Sequence, residues 1–264
     1  TRTPATLAAA LAHTAPLVRE AAAQGARLIV TPEATNILQR DRTKLFSAMR
    51  PQEEDEAVLG LRALAKELGV HLLIGSALVM RPDAKSANRS LLVGPDGEVK
   101  ASYDKLHMFD VDLPTGERHR ESSAYEPGDR AVVTEAEGAK IGLTICYDVR
   151  FPALHRALAV GGAEVLTVPS AFTKPTGEAH WHILLRARAI ETGSYVLAAA
   201  QGGLHEDGRG TYGHSLVIAP WGEIVAELDH DEPGVLVADL DLTNVASARA
   251  AIPALANARA FTGP

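Results

Sequence analysis

Three residue types in this chain can do chemistry together: the carboxylate of Glu33, the ammonium of Lys105 and the thiol of Cys146. Each ends an apolar segment, Leu28-Ile29-Val30-Thr31-Pro32-Glu33, Val99-Lys100-Ala101-Ser102-Tyr103-Asp104-Lys105 and Ile141-Gly142-Leu143-Thr144-Ile145-Cys146. In α/β folds, sites collect at the carboxyl ends of strands, so residues far apart in sequence can meet there. A free thiol has a pKa near 8.5 and supplies little thiolate at neutral pH. A carboxylate beside it can take its proton, and an ammonium can favour the thiolate and then hold the oxyanion formed on attack at a carbonyl. Spacing alone leaves a second reading open, with Cys146 as a small buried apolar residue.

The elements that must position these groups alternate between helix and strand patterns. Residues 5–24 carry Leu7, Leu11, Leu17 and Val18 at helical spacing and stop at Gly25. Arg27–Thr31 reads as a short strand, 53–68 as a helix stopped by Gly69, and Val70–Val79 as a long strand. Ser90–Val93 and Val99–Tyr103 flank Gly94-Pro95-Asp96-Gly97 and predict a hairpin. Residues 104–130 are polar and irregular, and a loop of that length inside a compact domain is functional or disordered. Beyond it come a strand over Lys140–Ile145, a helix over 151–160, a strand over Val165–Val168, a helix over 178–191 and a strand over Tyr195–Ala200. A hairpin of Ser215–Ile218 with Ile224–Leu228 and a last strand over Gly234–Leu240 complete the pattern. Strands apolar throughout, alternating with helices, mean sheets covered by helices, and the hairpins make those sheets mixed.

Composition narrows the function classes. The 264 residues, 46% hydrophobic and 22% charged, describe an ordinary globular chain, and no linker or charge block divides 1–264, which is expected to form one domain. No run approaches the ~18 apolar residues of a membrane span. The single cysteine excludes an internal disulfide framework and a Cys-based zinc site. A net charge of −7 argues against a general nucleic-acid binder. One cysteine and no secretory signal pattern point to the cytoplasm. Asn88-Arg89-Ser90 fits the glycosylation pattern and is read as chance. His180-Trp181-His182 places its histidines on different helix faces with no accompanying ligand cluster, so no metal is expected.

The words around the three groups go further. Thr31-Pro32-Glu33, Tyr103-Asp104-Lys105-Leu106-His107-Met108-Phe109-Asp110 and Ile145-Cys146-Tyr147-Asp148-Val149-Arg150-Phe151-Pro152 closely resemble the three signature segments of the nitrilase superfamily, the carbon–nitrogen hydrolases. The order Glu, Lys, Cys agrees. Further matches include Arg120-Glu121-Ser122, Glu126-Pro127-Gly128, Pro169-Ser170-Ala171-Phe172, Ala179-His180-Trp181, Tyr212-Gly213-His214-Ser215 and Pro220-Trp221-Gly222. Nitrile-hydrolysing members usually carry Trp-Glu after the nucleophile. Tyr147-Asp148 stands here and favours an amide.

The resemblance implies an α-β-β-α four-layer sandwich of two mixed sheets, paired into homodimers or larger assemblies through helix 178–191 and the segment after Cys146. It implies cofactor-free and metal-free hydrolysis of a linear carboxamide through a Cys146 thioester. Glu33 is then the general base, and Lys105 with the backbone N–H after Cys146 holds the oxyanion. Glu121 lines the site and helps position Lys105 and the substrate. By this resemblance Glu33 takes the base role that His107 or His214 would have in a cysteine protease. Arg150 is the candidate for a distal substrate carboxylate, and Tyr147, Phe172 and Thr176 are further substrate-binding candidates. The leading substrates are deaminated glutathione and omega-amides of dicarboxylic acids, and Leu185–Glu191 with Ala198–Gln201 sit closer to the former group. Nitrile or N-carbamoyl hydrolysis and a non-catalytic oligomeric scaffold are the alternatives. The family usually opens with a strand before its first helix, and this sequence starts almost at that helix.

Overall fold

The computed structural model describes residues 1–82, 85–113 and 116–263. Pro264, which the single-domain expectation includes, lies outside them. The first half runs α1 (Leu7–Ala23), β1 (Leu28–Val30), α2 (Arg42–Ala48), α3 (Glu56–Leu68), β2 (His71–Met80), β3 (Ser86–Val93) and β4 (Val99–Asp104). A small hairpin follows, β5 (Asp110–Asp112) with β6 (Arg118–Arg120), and a 3-10 turn over Glu121–Ser123. Next are β7 (Val132–Ala136), β8 (Ala139–Leu143), a 3-10 turn over Cys146–Arg150, α4 (Pro152–Val160), β9 (Val165–Thr167) and α5 (Lys174–Thr192). The chain finishes with β10 (Tyr195–Ala198), β11 (Gly202–Leu204), β12 (Gly210–Tyr212), β13 (Leu216–Ile218), β14 (Ile224–Glu227) and α6 (Thr243–Ala251).

Two mixed sheets result, a four-stranded one ordered β1-β2-β3-β4 and a six-stranded one ordered β14-β13-β10-β9-β8-β7. Side-chain alternation along the strands builds the layers. In β2 and β3, Leu72, Ile74, Leu91 and Val93 pack with Val18, Val58, Leu61 and Ala65 of α1 and α3. The residues between them, Leu73 and Leu92, join Ile141, Leu143 and Val165 of the other sheet. Leu158 of α4 and Leu185 and Ala189 of α5 belong to that same cluster, which places helices on the outer face of the six-stranded sheet. The order is helix, sheet, sheet, helix, as expected. Local signals hold the ends: the Asp55 carboxylate accepts from the N–H of Ala57 and Val58 at the start of α3, and Gly69 closes it in the left-handed region.

The structure amends several expectations. The irregular 104–130 segment contains the β5–β6 hairpin and the turn that carries Glu121. α5 begins at Lys174-Pro175, earlier than position 178, because proline is well accommodated in a first helical turn. Gly234–Leu240 forms no strand. That segment and β1 both line a groove of about 550 Å³. Among the described residues β1 pairs only with β2, so the apolar 234–240 segment has no ladder partner there.

Register delivers Glu33 to the sheet ends. β1 runs parallel to β2, and the ladder continues from Thr31 N–H to Leu73 O at 3.0 Å. Gly75 N–H then donates to Thr31 Oγ1, and Ala34 N–H to Ser76 Oγ. A β-carbon on Gly75 would fall 1.8 Å from Thr31 O and 2.6 Å from both Pro32 O and Pro169 Cβ. Two backbone oxygens of the segment after β1 and the ring of Pro169 crowd this point, so nothing can yield cheaply. Gly75→Ala is therefore expected to destabilise the protein by about 2–4 kcal/mol, lowering the thermal midpoint by at least about 5 °C in calorimetry.

Candidate active site

Glu33, Lys105, Glu121 and Cys146 meet at the ends of β1, β4 and β8. Lys105 N–H extends the ladder to Asn88 O, and Lys105 O accepts from Gly128 N–H, so the Glu126-Pro127-Gly128 word braces the lysine from the other side. Lys105 is buried, and its Nζ lies 3.0 Å from Glu33 Oε1 and 2.9 Å from both carboxylate oxygens of Glu121. Phe109 N–H donates to Glu121 Oε2 at 2.6 Å, closing the base of the β5–β6 hairpin against the site. Ala171 N–H donates to Glu33 Oε2 at 2.9 Å, and the Cys146 thiol hydrogen-bonds to the same carboxylate.

The charge states follow from this packing. Burial pushes the Glu33 carboxyl up, but the Lys105 ammonium and hydrogen bonds from Cys146, Lys105 and Asn88 outweigh it and leave Glu33 below the ordinary carboxylate value. Burial alone would lower Lys105, and the charges of Glu121 and Glu33 instead carry it well above the usual ammonium value. Burial and then the Glu33 charge push the Cys146 thiol well up, against the pull of Lys105. The resting site thus holds a neutral thiol beside an ionised carboxylate and a fixed ammonium, an arrangement suited to proton removal during attack rather than to a standing thiolate.

Cys146 sits on a strained turn. Its φ is +48°, a region that disfavours any side chain. Its own N–H is held by Pro169 O at 2.9 Å. The fully buried Asp148 fixes the turn: Oδ2 accepts from Ile145 N–H and Tyr103 Oη–H, and Oδ1 accepts from His107 N–H and faces His107 Nδ1 at 2.7 Å. Tyr103 and His107 flank Lys105 in sequence, so one carboxylate ties the lysine segment to the cysteine turn. His107 also stacks on Phe151 at 3.5 Å.

The remaining candidates divide. Tyr147 makes edge contacts to Phe109 and Phe151 at 5.1 and 5.3 Å and forms part of an aromatic wall. Phe172, beside Ala171, packs on Trp181, and the Arg150 guanidinium lies over its ring at 5.5 Å. Arg150 Nη2 also meets His180 Nδ1 at 3.3 Å, and among the described residues no carboxylate pairs with it. Thr176 stands apart: its hydroxyl meets Thr173 Oγ1 and donates to Thr173 O inside the first turn of α5, a local role. His182 pairs with Glu227 at 2.6 Å, and His214 stacks on Tyr212. Among the described residues no group of three potential metal ligands gathers.

Sequence reasoning missed one participant. Asn88 is buried in β3, and its Nδ2 donates to Glu33 Oε1 at 2.9 Å and to Glu121 Oε1 at 3.2 Å. The only sequence signal at that position was the glycosylation pattern, which says nothing of a buried strand residue.

Comparison with known proteins gives the family. Residues 2–250 match the family described as carbon–nitrogen hydrolase. The chain is 40% identical over 239 residues to the deaminated glutathione amidase of Yersinia enterocolitica, covering 89% of this chain and 82% of that protein. It is similar to the C. elegans NitFhit protein, with a TM-score of 0.90, 33% identity and 97% of this chain matched, and it spans 63% of that longer chain. It is also similar to a glutamate-to-glutamine mutant of the amidase from Nesterenkonia sp. AN1, with a TM-score of 0.77, 30% identity and coverage of 96% of this chain and 95% of that one. In that structure acrylamide has added to the active-site cysteine. With a matched span that covers nearly the whole chain, this protein belongs to the carbon–nitrogen hydrolases of the nitrilase superfamily, enzymes that act on non-peptide carbon–nitrogen bonds.

Proposed function

We propose that this enzyme hydrolyses a small linear carboxamide bearing a distal carboxylate, of the class of deaminated glutathione and omega-amides of dicarboxylic acids, without a cofactor. The observation that carries the reading is the Glu33 carboxylate held between the Cys146 thiol and the Lys105 ammonium. Glu33 takes the thiol proton as sulfur attacks the amide carbon. The oxyanion forms against Lys105 Nζ and the Tyr147 N–H, the amide that follows the one held by Pro169. Glu33 returns the proton to nitrogen, the C–N bond breaks, and ammonia leaves a Cys146 thioester. Water then gives a proton to Glu33 and its oxygen to the acyl carbon, the C–S bond breaks to release the acid, and Glu33 returns the proton to sulfur to restore the thiol. Glu121 fixes Lys105 throughout.

Arg150 supports the carboxylate part of this reading. A guanidinium grips a carboxylate through two parallel hydrogen bonds, and this one stands without an acidic partner among the described residues beside Phe172 at the site. Tyr147, Phe109 and Phe172 supply apolar walls for the acyl chain. We read residues 1–264 as one domain. The single cysteine, needed as a free thiol, supports a reducing cytoplasmic setting. A second copy is the partner we assign to the α5 side, where Ile183, Ile190 and Trp221 are more than half exposed.

Ammonia release from deaminated glutathione, alpha-ketoglutaramate, succinamate, an N-carbamoyl amino acid and an aliphatic nitrile tests the function. Turnover of one of the first three, abolished by Cys146→Ala in folded protein, is the expected result. Turnover of only the nitrile or carbamoyl compound would sink the amidase reading. Arg150→Gln should raise KM for the carboxylate-bearing amide about 10- to 100-fold and leave a neutral amide within about threefold in steady-state assays. Ile183→Glu should shift the sedimentation velocity of the wild-type assembly toward a monomer, and a monomeric wild type would overturn the second-copy reading.

A further inference from the structure

The Asn88 side chain sits among the reacting groups and takes no part in the proton transfers. Its Nδ2 and the Lys105 Nζ contact the same two atoms, Glu33 Oε1 and Glu121 Oε1, at 2.9 to 3.2 Å. Two donors and two acceptors thus alternate in a closed ring of polar contacts at the centre of the site. The amide orientation is dictated by chemistry: reversed, its oxygen would face two carboxylates. In this orientation the buried Asn88 Oδ1 has no hydrogen-bond partner among the described residues.

We propose that Asn88 is a positioning residue that holds the Glu33 and Glu121 carboxylates together around Lys105 and keeps Glu33 in its proton-accepting form. The physical need is plain. One ammonium serves two carboxylates in a buried site, leaving an excess negative charge. Without a second donor, the two like charges repel, and protonation of one relieves the repulsion. A neutral amide with two N–H groups satisfies one oxygen of each carboxylate and adds no charge. Lysine there would add a second cation and would shift the balance toward a standing thiolate. Aspartate would add a third anion.

The groups facing Glu33 come from every neighbouring segment: Lys105 after β4, Glu121 at its 3-10 turn, Cys146 after β8, the Ala171 N–H before α5, and the charge-coupled Tyr125. Lys105 and Asn88 donate to Oε1, and the Ala171 amide donates to Oε2. Removing Asn88 takes a hydrogen bond from the ionised form of Glu33, so its pKa rises. The acid limb of Cys146 reactivity must then move to higher pH.

This inference rests on Glu33 acting as the base, so the test separates it from the amidase assignment. Alkylation of Cys146 by iodoacetamide, followed by intact mass from about pH 2.5 to pH 9, needs no amide substrate. In Asn88→Ala and Asn88→Ser the acid limb should move up by about one pH unit, with alkylation near that limb slowed about tenfold. With the amide substrate, kcat should fall at least about tenfold while KM stays within about threefold. Asn88→Asp should move the limb at least as far. The serine variant, which keeps a hydroxyl in the strand, decides the matter if the alanine variant does not fold. Folded variants whose acid limb superimposes on the wild type would overturn the proposal, whatever their rates. A shifted limb in a protein that hydrolyses none of the amides would sink the amidase assignment and still support the role of Asn88.

Discussion

A single buried ammonium between two carboxylates is the constraint around which the rest of this molecule is arranged. Lys105 retains 2% of its side-chain exposure, and both of its ion-pair partners, Glu33 and Glu121, are almost as closed. Removing three charges from water is expensive, and mutual attraction repays it only when geometry is good and every remaining oxygen has a donor. That requirement is met from four directions: the Ala171 and Phe109 amides, the Asn88 side chain and the lysine itself. No local stretch of sequence holds more than one of the three charges. The cluster therefore forms only when the strand ends have converged, and its energetics depend on the whole fold.

The same convergence sets the state of the thiol. A cysteine near an ammonium is often read as a thiolate, because the positive charge stabilises it. Here burial of the sulfur, and then the charge of the adjacent Glu33 carboxylate, push the thiol up rather than down. The proton stays on sulfur, beside a ready acceptor. In the proposed mechanism such a site is quiet without a substrate and becomes nucleophilic when a carbonyl arrives near Lys105.

Rigidity around the site comes from backbone under strain. Cys146, and Ala34 next to Glu33, both hold positive φ, at +48° and +56°. Non-glycine residues persist there only when their surroundings over-determine them. Asp148 does this for Cys146 through four contacts that reach back to Tyr103 and His107. Ser76 and Gly75 of β2 do it for the Glu33 segment, by hydrogen bonds on either side. One acidic side chain and one glycine thus align two segments that sequence separates widely.

Strand and helix alternation, the layered class and the three side chains that meet at the strand ends were all legible in the order of residues. Period-2 and helical apolar patterns are local, and the signature words around Glu33, Lys105 and Cys146 are contiguous. The misses were of one physical kind. The 234–240 segment was apolar enough for a strand, but a strand exists only with a ladder partner, and among the described residues it has none. The segment over 104–130 looked irregular because the β5–β6 hairpin is short and charged. Packing in three dimensions was needed to reveal that Asn88 bridges two carboxylates, that Asp148 locks the cysteine turn, and that Arg150 lacks an acidic partner among the described residues. Each of these depends on which atoms from distant strands come within about 3 Å, a distance that no pattern along the chain encodes.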